Sequence, residues 1–339
     1  MTALVAAEEG TEPDRWRVDV EVDVRTVVGH AEPVRLRGWA MGPAAPTDGP
    51  VPVLYCQAGG SCSTGYFDLR VPGHDGYSMA EDLAGRGAVV IALDHLGLGT
   101  SDPYDLFAVT PSLLAACHHH AATELAAALR HGSLDRGIAP VAAPVLVGLG
   151  HSMGAMLTTV QQGRHATFAA LVLLGHGGTG LPEVLTPEEL AVRGPDLASI
   201  EPEIVRLAHV RFGEGTTVER KKPARGSFFT ADVPQAVRRA FAEQSVPGLP
   251  VGGLTSMIPD SVHAEKAAIT VPVFLGFGDD DLIDDYTGTA AQFPASRDLA
   301  IYVLADSGHC QNQAAGRQTL WRRTAAWVDA VVADVDDRA

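Results

Sequence analysis

The chain contains 339 residues, of which 46% are hydrophobic and 19% are charged, so it has enough apolar side chains to bury a core. Its 41 acidic and 25 basic residues give a net charge of −16. Nucleic acids and anionic bilayers bind clustered basic residues, so this charge argues against both as partners. The one basic run, residues 219–225, is interpreted as a solvated loop.

The N-terminal segment, the absence of a long apolar run and the acidic composition, with arginine used more than lysine, predict a cytoplasmic protein. The first residues carry no basic segment of the kind that begins a secretory signal, and no apolar run reaches the roughly 18 residues of a membrane span. The cysteines are too few and too scattered for a disulfide framework or a zinc site, so we expect reduced thiols at Cys56, Cys62, Cys117 and Cys310. A homodimer is compatible with the sequence.

The pattern of apolar residues predicts a mostly parallel sheet. Residues 1–14 are expected to form a mobile acidic tail, and two alternating segments, 15–27 and 33–40, predict an antiparallel hairpin. Short continuous apolar runs then predict strands buried on both faces at residues 51–56, 88–93, 144–149, 168–174, 271–277 and 299–304. Helical segments separate these runs, and this alternation is typical of a doubly wound α/β protein.

Two helices and one insertion are predicted between and after these strands. Residues 111–130 form a predicted helix with Thr110 as its N-cap and Gly132 at its end, and a second helix is predicted from about 314 to 335. Residues 181–267 contain helical pieces punctuated by proline and glycine, and no convincing buried strand. We therefore predict a helical cap at 181–267, inserted between the core segments 15–180 and 268–339.

The most informative motif follows the predicted strand at residues 144–149. This strand runs into Gly150-His-Ser-Met-Gly154 and then into a helical segment. A serine on such a strained turn needs small residues two positions away on each side, because the backbone passes close to neighbouring chain. Its hydroxyl projects above the sheet, and the next amide, that of Met153, can bind an oxyanion at the helix N-terminus. We therefore predict Ser152 as a nucleophile.

A nucleophilic serine requires a histidine base and a carboxylate that orients the base. The predicted strand at 271–277 opens into the acidic turn Asp279-Asp280-Asp281, and the strand at 299–304 leads to Gly308-His309. Serine, aspartate and histidine thus follow the ends of three predicted strands. This order indicates a catalytic triad with His309 as its base.

These motifs resemble those of the α/β-hydrolase superfamily over nearly all of residues 15–335 apart from the cap. The matching pieces are Gly-His-Ser-Met-Gly, the strand and acidic turn at 271–281, the late Ser-Gly-His, and residues 94–101 (Asp-His-Leu-Gly-Leu-Gly-Thr-Ser). The resemblance implies an α/β-hydrolase fold, with a mostly parallel eight-stranded sheet, helices on both faces and an inserted helical cap. It also implies Asp281 as the triad acid, with Asp280 as the alternative.

The resemblance further implies a second oxyanion donor in the loop after the third strand. Relatives carry His-Gly there, whereas this chain has Gln-Ala-Gly-Gly-Ser at 57–61, so the register of the loop is open. We assign the donor to the amide of Gly60, with Ser61 as the alternative, beside the amide of Met153. Ser61 and His176 are the predicted substrate-binding residues, and a structural role for His176 is equally compatible with the sequence.

Other motifs receive structural interpretations. The segment 97–102 lacks the third glycine of a dinucleotide loop and is interpreted as a turn. His118-His119-His120 lie about 100° apart around a helix, so they cannot converge on a metal ion, and we expect them on the surface or in a groove. His151 is expected to pack within the elbow. Cys62 and Cys310 have no second histidine and aspartate set, so neither is the expected nucleophile.

The sequence therefore predicts a serine hydrolase that needs no metal or organic cofactor. His309 would deprotonate Ser152, and water would hydrolyse the resulting acyl-enzyme. Apolar residues of the predicted cap favour a small-to-medium hydrophobic substrate, either a carboxylic ester, a lactone or a thioester. Two alternatives stay open. Relatives with the same triad cleave carbon–carbon bonds in vinylogous diketones, and others on this fold are non-enzymatic ligand receptors.

Overall fold

A computed structural model describes residues 14–45, 49–214 and 223–336, and its centre is an eight-stranded sheet. The spatial order of the strands is β1-β2-β4-β3-β5-β6-β7-β8. Strand β2 pairs antiparallel with β1 and β4, and every other pair of neighbours is parallel, which confirms the predicted mostly parallel sheet. The strands are β1 (Arg15–Asp23), β2 (Arg35–Pro43), β3 (Pro50–Gln57), β4 (Val89–Leu93), β5 (Ala143–His151), β6 (Ala170–Leu174), β7 (Val273–Gly278) and β8 (Leu299–Leu304).

Helices cover both faces of this sheet. Helices α3 and α4 pack together on one face, and α2 and α11 cover the other, so that each face of the buried strands has its own apolar core. The helices are α1 (Arg25–Val28), α2 (Met79–Ala84), α3 (Pro111–His131), α4 (Met153–His165), α5 (Pro187–Leu190), α6 (Leu197–Phe212), α7 (Gln235–Glu243), α8 (Pro250–Met257), α9 (His263–Ala267), α10 (Tyr286–Ala291) and α11 (Arg317–Asp336). Among the helices of the described ranges, none combines the length and apolar character needed to cross a bilayer.

The predicted hairpin is present, but its first strand is shorter than predicted. Strand β1 ends at Asp23, and residues 25–28 form helix α1 instead of continuing the alternation. The Asp23 carboxylate accepts hydrogen bonds from the backbone amides of Arg25 (3.0 Å) and Val34 (3.3 Å), which turns the chain back toward β2. These hydrogen bonds from the backbone to a side chain override the local alternation.

Both predicted ends of helix α3 are confirmed. The Thr110 hydroxyl accepts a hydrogen bond from the amide of Leu113 at 3.2 Å, which satisfies one of the free donors of the first turn. Gly132 ends the helix in the left-handed region at φ 62°, which a glycine adopts without strain. These caps fix where α3 begins and ends beside the sheet.

The described residues between β6 and β7 form helices and add no strand to the sheet. A buried ion pair between Glu189 and Arg211 joins α5 to α6, with an Oε1–Nε distance of 2.6 Å. Glu201 of α6 accepts hydrogen bonds from the amide (2.9 Å) and hydroxyl (2.7 Å) of Ser112 at the start of α3. This segment, predicted as a cap, is therefore anchored to the core. Residues 1–13 of the predicted tail and residues 219–222 of the basic run lie outside the described residues.

Candidate active site

Ser152 lies on a sharp turn between strand β5 and helix α4. Its backbone has φ 54° and ψ −123°, a conformation that residues with a side chain rarely adopt. Its amide donates to the carbonyl of Leu174 in β6 at 2.7 Å, which holds the turn. A Cβ at Gly154 would lie 2.5 Å from the carbonyl oxygen of Ala58, and one at Gly150 would lie 2.5 Å from that of Gly154. Both glycines are therefore required by close backbone approach.

The structure brings three of the predicted site residues into one hydrogen-bonded chain. The Oγ atom of Ser152 lies 2.8 Å from Nε2 of His309, and Nδ1 of His309 lies 2.6 Å from Oδ1 of Asp281. Asp281 and His309 are buried, whereas Ser152 is partly exposed. Because a carboxylate only accepts, Nδ1 of His309 carries the proton and Nε2 is free to take one from the serine. The chain thus leads from a buried carboxylate to an accessible hydroxyl.

The second oxygen of Asp281 is also occupied. Its Oδ2 atom accepts hydrogen bonds from Nε2 of Gln311 (2.6 Å) and from the amide of Gly278 (3.2 Å). Burial opposes its ionisation, but the charge and hydrogen bond of His309 and the Gly278 amide keep the pKa of Asp281 below its usual range. Asp280, the alternative acid, is exposed and accepts a hydrogen bond from Ser227 instead. Gln311 was not predicted, because no sequence pattern marks a glutamine that supports a triad acid.

His151 supports the backbone of His309. Its Nε2 atom donates to the carbonyl oxygen of His309 at 2.9 Å, and its ring stacks on Tyr66 with centroids 4.1 Å apart and planes at 13°. Burial lowers the pKa of His151 to about 3, so its imidazole is neutral at pH 7. The predicted packing of His151 within the elbow is confirmed.

A short segment of the predicted cap, residues 226–230 (the strap), joins the two loops that carry Asp281 and His309. The Ser227 carbonyl accepts from the amide of His309 at 2.7 Å, and the Ser227 amide donates to the carbonyl of Asp280 at 2.9 Å. The next carbonyl, that of Phe228, accepts from the amide of Cys310 at 2.9 Å. The Phe228 ring stands edge-on to the His309 imidazole, with centroids 5.5 Å apart, yet 53% of the residue is exposed. An apolar surface therefore borders the imidazole of His309.

Gly59 and Gly60, in the loop after β3, differ in burial and in their distance from neighbouring atoms. Gly59 is buried, and a Cβ there would lie 3.1 Å from Cβ of Ser152. Gly60 is exposed, and a Cβ there would meet nothing within 4 Å. Gly59 was not predicted, because two adjacent glycines are equivalent in a sequence pattern. The assignment of the oxyanion donor to Gly60 stays a prediction, and Gly59 joins it as a candidate beside the nucleophile.

Met153 and Ser61 both lie where the cap meets this site. Met153 is the first residue of α4, where an amide has no partner within its helix, and its Sδ atom lies 3.2 Å from the position of a Cβ on Gly252 of α8. Ser61 is exposed with φ 60°, and its carbonyl accepts from the amide of Val246 at 3.1 Å. The predicted contact between Ser61 and substrate stays a prediction.

His176 lies in the loop after strand β6, two residues beyond Leu174 and near His309. A Cβ on the neighbouring Gly175 would lie 3.1 Å from the His309 ring. His176 is 7% exposed, and its Nε2 atom has no hydrogen-bond partner among the described residues. Burial, together with the charge of Lys266, holds the pKa of His176 well below its usual range, so the ring is neutral. Its role in binding substrate stays a prediction.

Lys266 on α9 is buried although its side chain carries a charge at neutral pH. The residue is 2% exposed, and its Nζ atom donates to Oε1 of Gln292 at 2.7 Å. Burial lowers the pKa of Lys266 from 10.5 to about 8. The unfolded chain therefore binds more protons between these two values, and the stability of the native protein rises with pH across that window. Below pH 8 the native protein carries the full cost of the buried charge, about 3 kcal/mol.

We therefore expect Lys266→Met to unfold at higher urea concentration than the natural protein at pH 7. The expected gain is about 1–3 kcal/mol, because the variant removes the buried charge but leaves Gln292 without its donor. The gain should shrink toward zero as the pH approaches 10.5. Urea unfolding at pH 7 and pH 10 measures both values, with Arg239→Met on the exposed side of α7 as a pH-independent control. A loss of stability at pH 7 would contradict the prediction.

The three consecutive histidines on α3 were predicted to lie on the surface or in a groove, and this prediction fails for one of them. His118 is fully buried, and its ring atoms lie within hydrogen-bond distance of Tyr55 and His95, so its prediction as a surface or groove residue was wrong. Three consecutive residues on a helix point to different sides, and this position faces the sheet. His119 and His120 are partly exposed. The described residues hold no group of three or more His, Cys, Asp or Glu side chains able to bind a metal ion.

The predicted turn at residues 97–102 is confirmed. The Asp94 carboxylate accepts a hydrogen bond from the amide of Thr100 at 2.9 Å, across the turn. Gly99 has φ 54°, and a Cβ there would overlap that carboxylate. A second oxygen of Asp94 accepts from the amide of Thr64 at 2.9 Å, which ties the turn to the loop after β3.

The sheet order, the serine on its turn and the late histidine together define an α/β hydrolase. The alpha/beta hydrolase family model matches residues 58–320, more than half of the chain, so the protein belongs to this family. No curated protein sequence matches the chain significantly.

Several solved structures share the fold over most of the chain. A bromoperoxidase from Bacillus anthracis is 15% identical, with a TM-score of 0.54 over 91% of this chain and 98% of its own. A thermophilic esterase from Thermogutta terrifontis is 17% identical, with a TM-score of 0.56 over 88% and 94%. An esterase from Exiguobacterium antarcticum is 14% identical, with a TM-score of 0.55 over 92% and 95%. At these identities the likeness concerns the fold alone.

Proposed function

We propose that this protein is a serine hydrolase that cleaves carboxylic esters, lactones or thioesters. The observation that carries the proposal is the hydrogen-bonded chain of Ser152, His309 and Asp281, with distances of 2.8 Å and 2.6 Å. These distances lie within the range in which a base can take a proton from a nucleophile. The partial exposure of Ser152 leaves its hydroxyl open to a substrate.

The mechanism follows from the roles that these atoms can take. Nε2 of His309 accepts the proton of Ser152 while Oγ attacks the carbonyl carbon, and Asp281 stabilises the imidazolium that forms. The amide of Met153 and an amide of the 59–61 loop bind the oxyanion. The imidazolium then protonates the leaving group, and His309 activates a water that releases the acid from the acyl-enzyme.

Phe228 supports a hydrophobic leaving group. The imidazole that protonates the leaving group borders the ring of Phe228, a residue that is 53% exposed. Burial of an apolar group against it would stabilise the bound substrate by roughly 25 cal/mol for each Å² removed from water. Several other apolar residues of the predicted cap are buried in the apolar core that also contains α3 and α4: Leu207, Leu249, Val251 and Leu254.

Intact-mass spectrometry after exposure to a fluorophosphonate tests the proposal. Attack by Ser152 forms an Oγ–P bond, fluoride leaves, and His309 takes the proton. We expect one adduct on the natural protein and none on Ser152→Ala. A panel of esters, lactones, thioesters and vinylogous diketones then identifies the bond that is cleaved, and turnover of diketones alone would favour carbon–carbon hydrolysis. No adduct on folded protein would overturn the proposal and favour a ligand receptor.

A further inference from the structure

A chain of buried side chains leads from the middle of the sheet to the loop beside the nucleophile. The hydroxyl of Tyr55 in β3 lies 2.8 Å from Nδ1 of His118 in α3. Nε2 of His118 lies 2.9 Å from Nδ1 of His95, which follows β4. Nε2 of His95 lies 3.0 Å from the carbonyl oxygen of Ala58. Each of the three side chains is at most 1% exposed.

The Ala58 carbonyl, at the end of this chain of hydrogen bonds, determines which group donates in each of them. The Ala58 carbonyl only accepts, so Nε2 of His95 carries a hydrogen. Burial lowers the pKa values of His95 and His118, so both rings are neutral. Nδ1 of His95 therefore accepts from Nε2 of His118, and Nδ1 of His118 accepts from the Tyr55 hydroxyl. All the hydrogen bonds point in one direction, toward the Ala58 carbonyl.

This carbonyl belongs to the peptide that leads into Gly59. The described residues contain no cis peptide bond, so the Gly59 N–H points opposite to the Ala58 carbonyl and away from His95. Gly59 itself lies against Ser152, because a Cβ added to Gly59 would be 3.1 Å from Cβ of the serine. The Ala58 oxygen also lies close to Gly154 of helix α4, where a Cβ would be 2.5 Å away. Contacts of the Ala58 oxygen with His95 and with helix α4 therefore hold the orientation of this peptide.

We propose that His95, supported by His118 and Tyr55, is a positioning residue that directs the Gly59 N–H at the oxyanion formed on Ser152. The inference rests on the proposed function, because it needs a tetrahedral intermediate or an equivalent phosphonyl adduct at the serine. Asp94, the neighbour of His95, holds the far end of the same loop through the Thr64 amide at 2.9 Å. Two adjacent residues after β4 thus hold both ends of the oxyanion loop.

The rate of fluorophosphonate labelling in paired variants tests this inference. His95→Leu removes the donor to Ala58, whereas His95→Gln places an amide Nε2 donor at about the same distance along the side chain. We expect labelling of His95→Leu to be slower by about tenfold to a hundredfold, since loss of an oxyanion donor costs about a hundredfold or more. His95→Gln should recover most of that rate. Once a substrate is known, kcat should fall in His95→Leu while KM stays within about twofold.

A second variant covers the case in which His95→Leu does not fold. Tyr55→Phe keeps the ring and removes only the first donor of the chain, so we expect slower labelling with a melting temperature close to that of the natural protein. A purely structural role would lower the melting temperatures of these variants and leave the labelling rate of the folded protein unchanged, which would overturn the inference. Equal rates in His95→Leu and His95→Gln would also overturn it. No labelling of the natural protein would instead overturn the proposed function, and the inference with it.

Discussion

Ser152→Ala is expected to lower kcat by about a millionfold for any substrate that the natural protein hydrolyses. The substitution removes the Oγ atom that attacks the carbonyl and leaves the rest of the site in place. Alanine is smaller than serine, and the positive φ of 54° is already imposed by the turn, so we expect the fold to persist. Steady-state kinetics on purified protein, with a melting curve for each variant, measures the effect.

Cys62→Ala is the matched control for this experiment. Its thiol lies in the loop after β3, and burial raises the pKa of Cys62 to about 12, so it is protonated at pH 7 and a poor nucleophile. We expect this variant to keep kcat within about threefold. Activity that survives in Ser152→Ala and disappears in Cys62→Ala would mean that the nucleophile is a thiol.

Asp281→Asn is expected to lower kcat by about ten-thousandfold without unfolding the protein. Oδ2 of Asp281 accepts from Gln311 at 2.6 Å and from the Gly278 amide at 3.2 Å, so the asparagine must place its oxygen there. Its NH₂ group then faces Nδ1 of His309, which must accept. The proton of the imidazole moves to Nε2, and the ring can no longer take the proton of the serine.

Asp280→Asn separates the two candidate acids. Asp280 is exposed, and its side chain bonds to the Ser227 hydroxyl at 2.5 Å, so its substitution should change kcat by a few-fold at most. Kinetics of the two asparagine variants, measured side by side, give the comparison. A severe loss in Asp280→Asn with an active Asp281→Asn would show that the acid has been assigned to the wrong residue.

The sequence predicts the turn at Ser152 well because the constraints on this turn are local. Five consecutive residues encode a strained serine between two glycines. Neighbouring backbone atoms lie so close to Gly150 and Gly154 that neither position has room for a side chain. The late strands likewise predict that Asp281 and His309 lie at the same edge of the sheet. These inferences need only strand order and the rule that the carboxyl ends of parallel strands share one edge.

The supporting residues could not be predicted in the same way. The burial of His118 depends on which side of α3 faces the sheet, and three adjacent histidines leave that undecided. Gln311 and Ser227 reach the triad through contacts between loops distant in sequence, one of them in the cap. The choice between Gly59 and Gly60 depends on the orientation of a single peptide. Each of these features comes from tertiary packing, which no local pattern encodes.

The strap limits how far the predicted cap can be replaced without disturbing the loops of Asp281 and His309. Its backbone forms hydrogen bonds with both loops. The Ser227 carbonyl accepts from the amide of His309 at 2.7 Å, and the Ser227 amide donates to the carbonyl of Asp280 at 2.9 Å. Substitutions on the exposed surface of helices α5 to α8 leave the strap in place. An exchange of the whole insertion for one from another protein would also remove the backbone hydrogen bonds that hold Asp280 and His309. A cap taken from another protein would therefore need a segment equivalent to residues 226–230. Without that segment, we expect a chimera with a new pocket but lower activity.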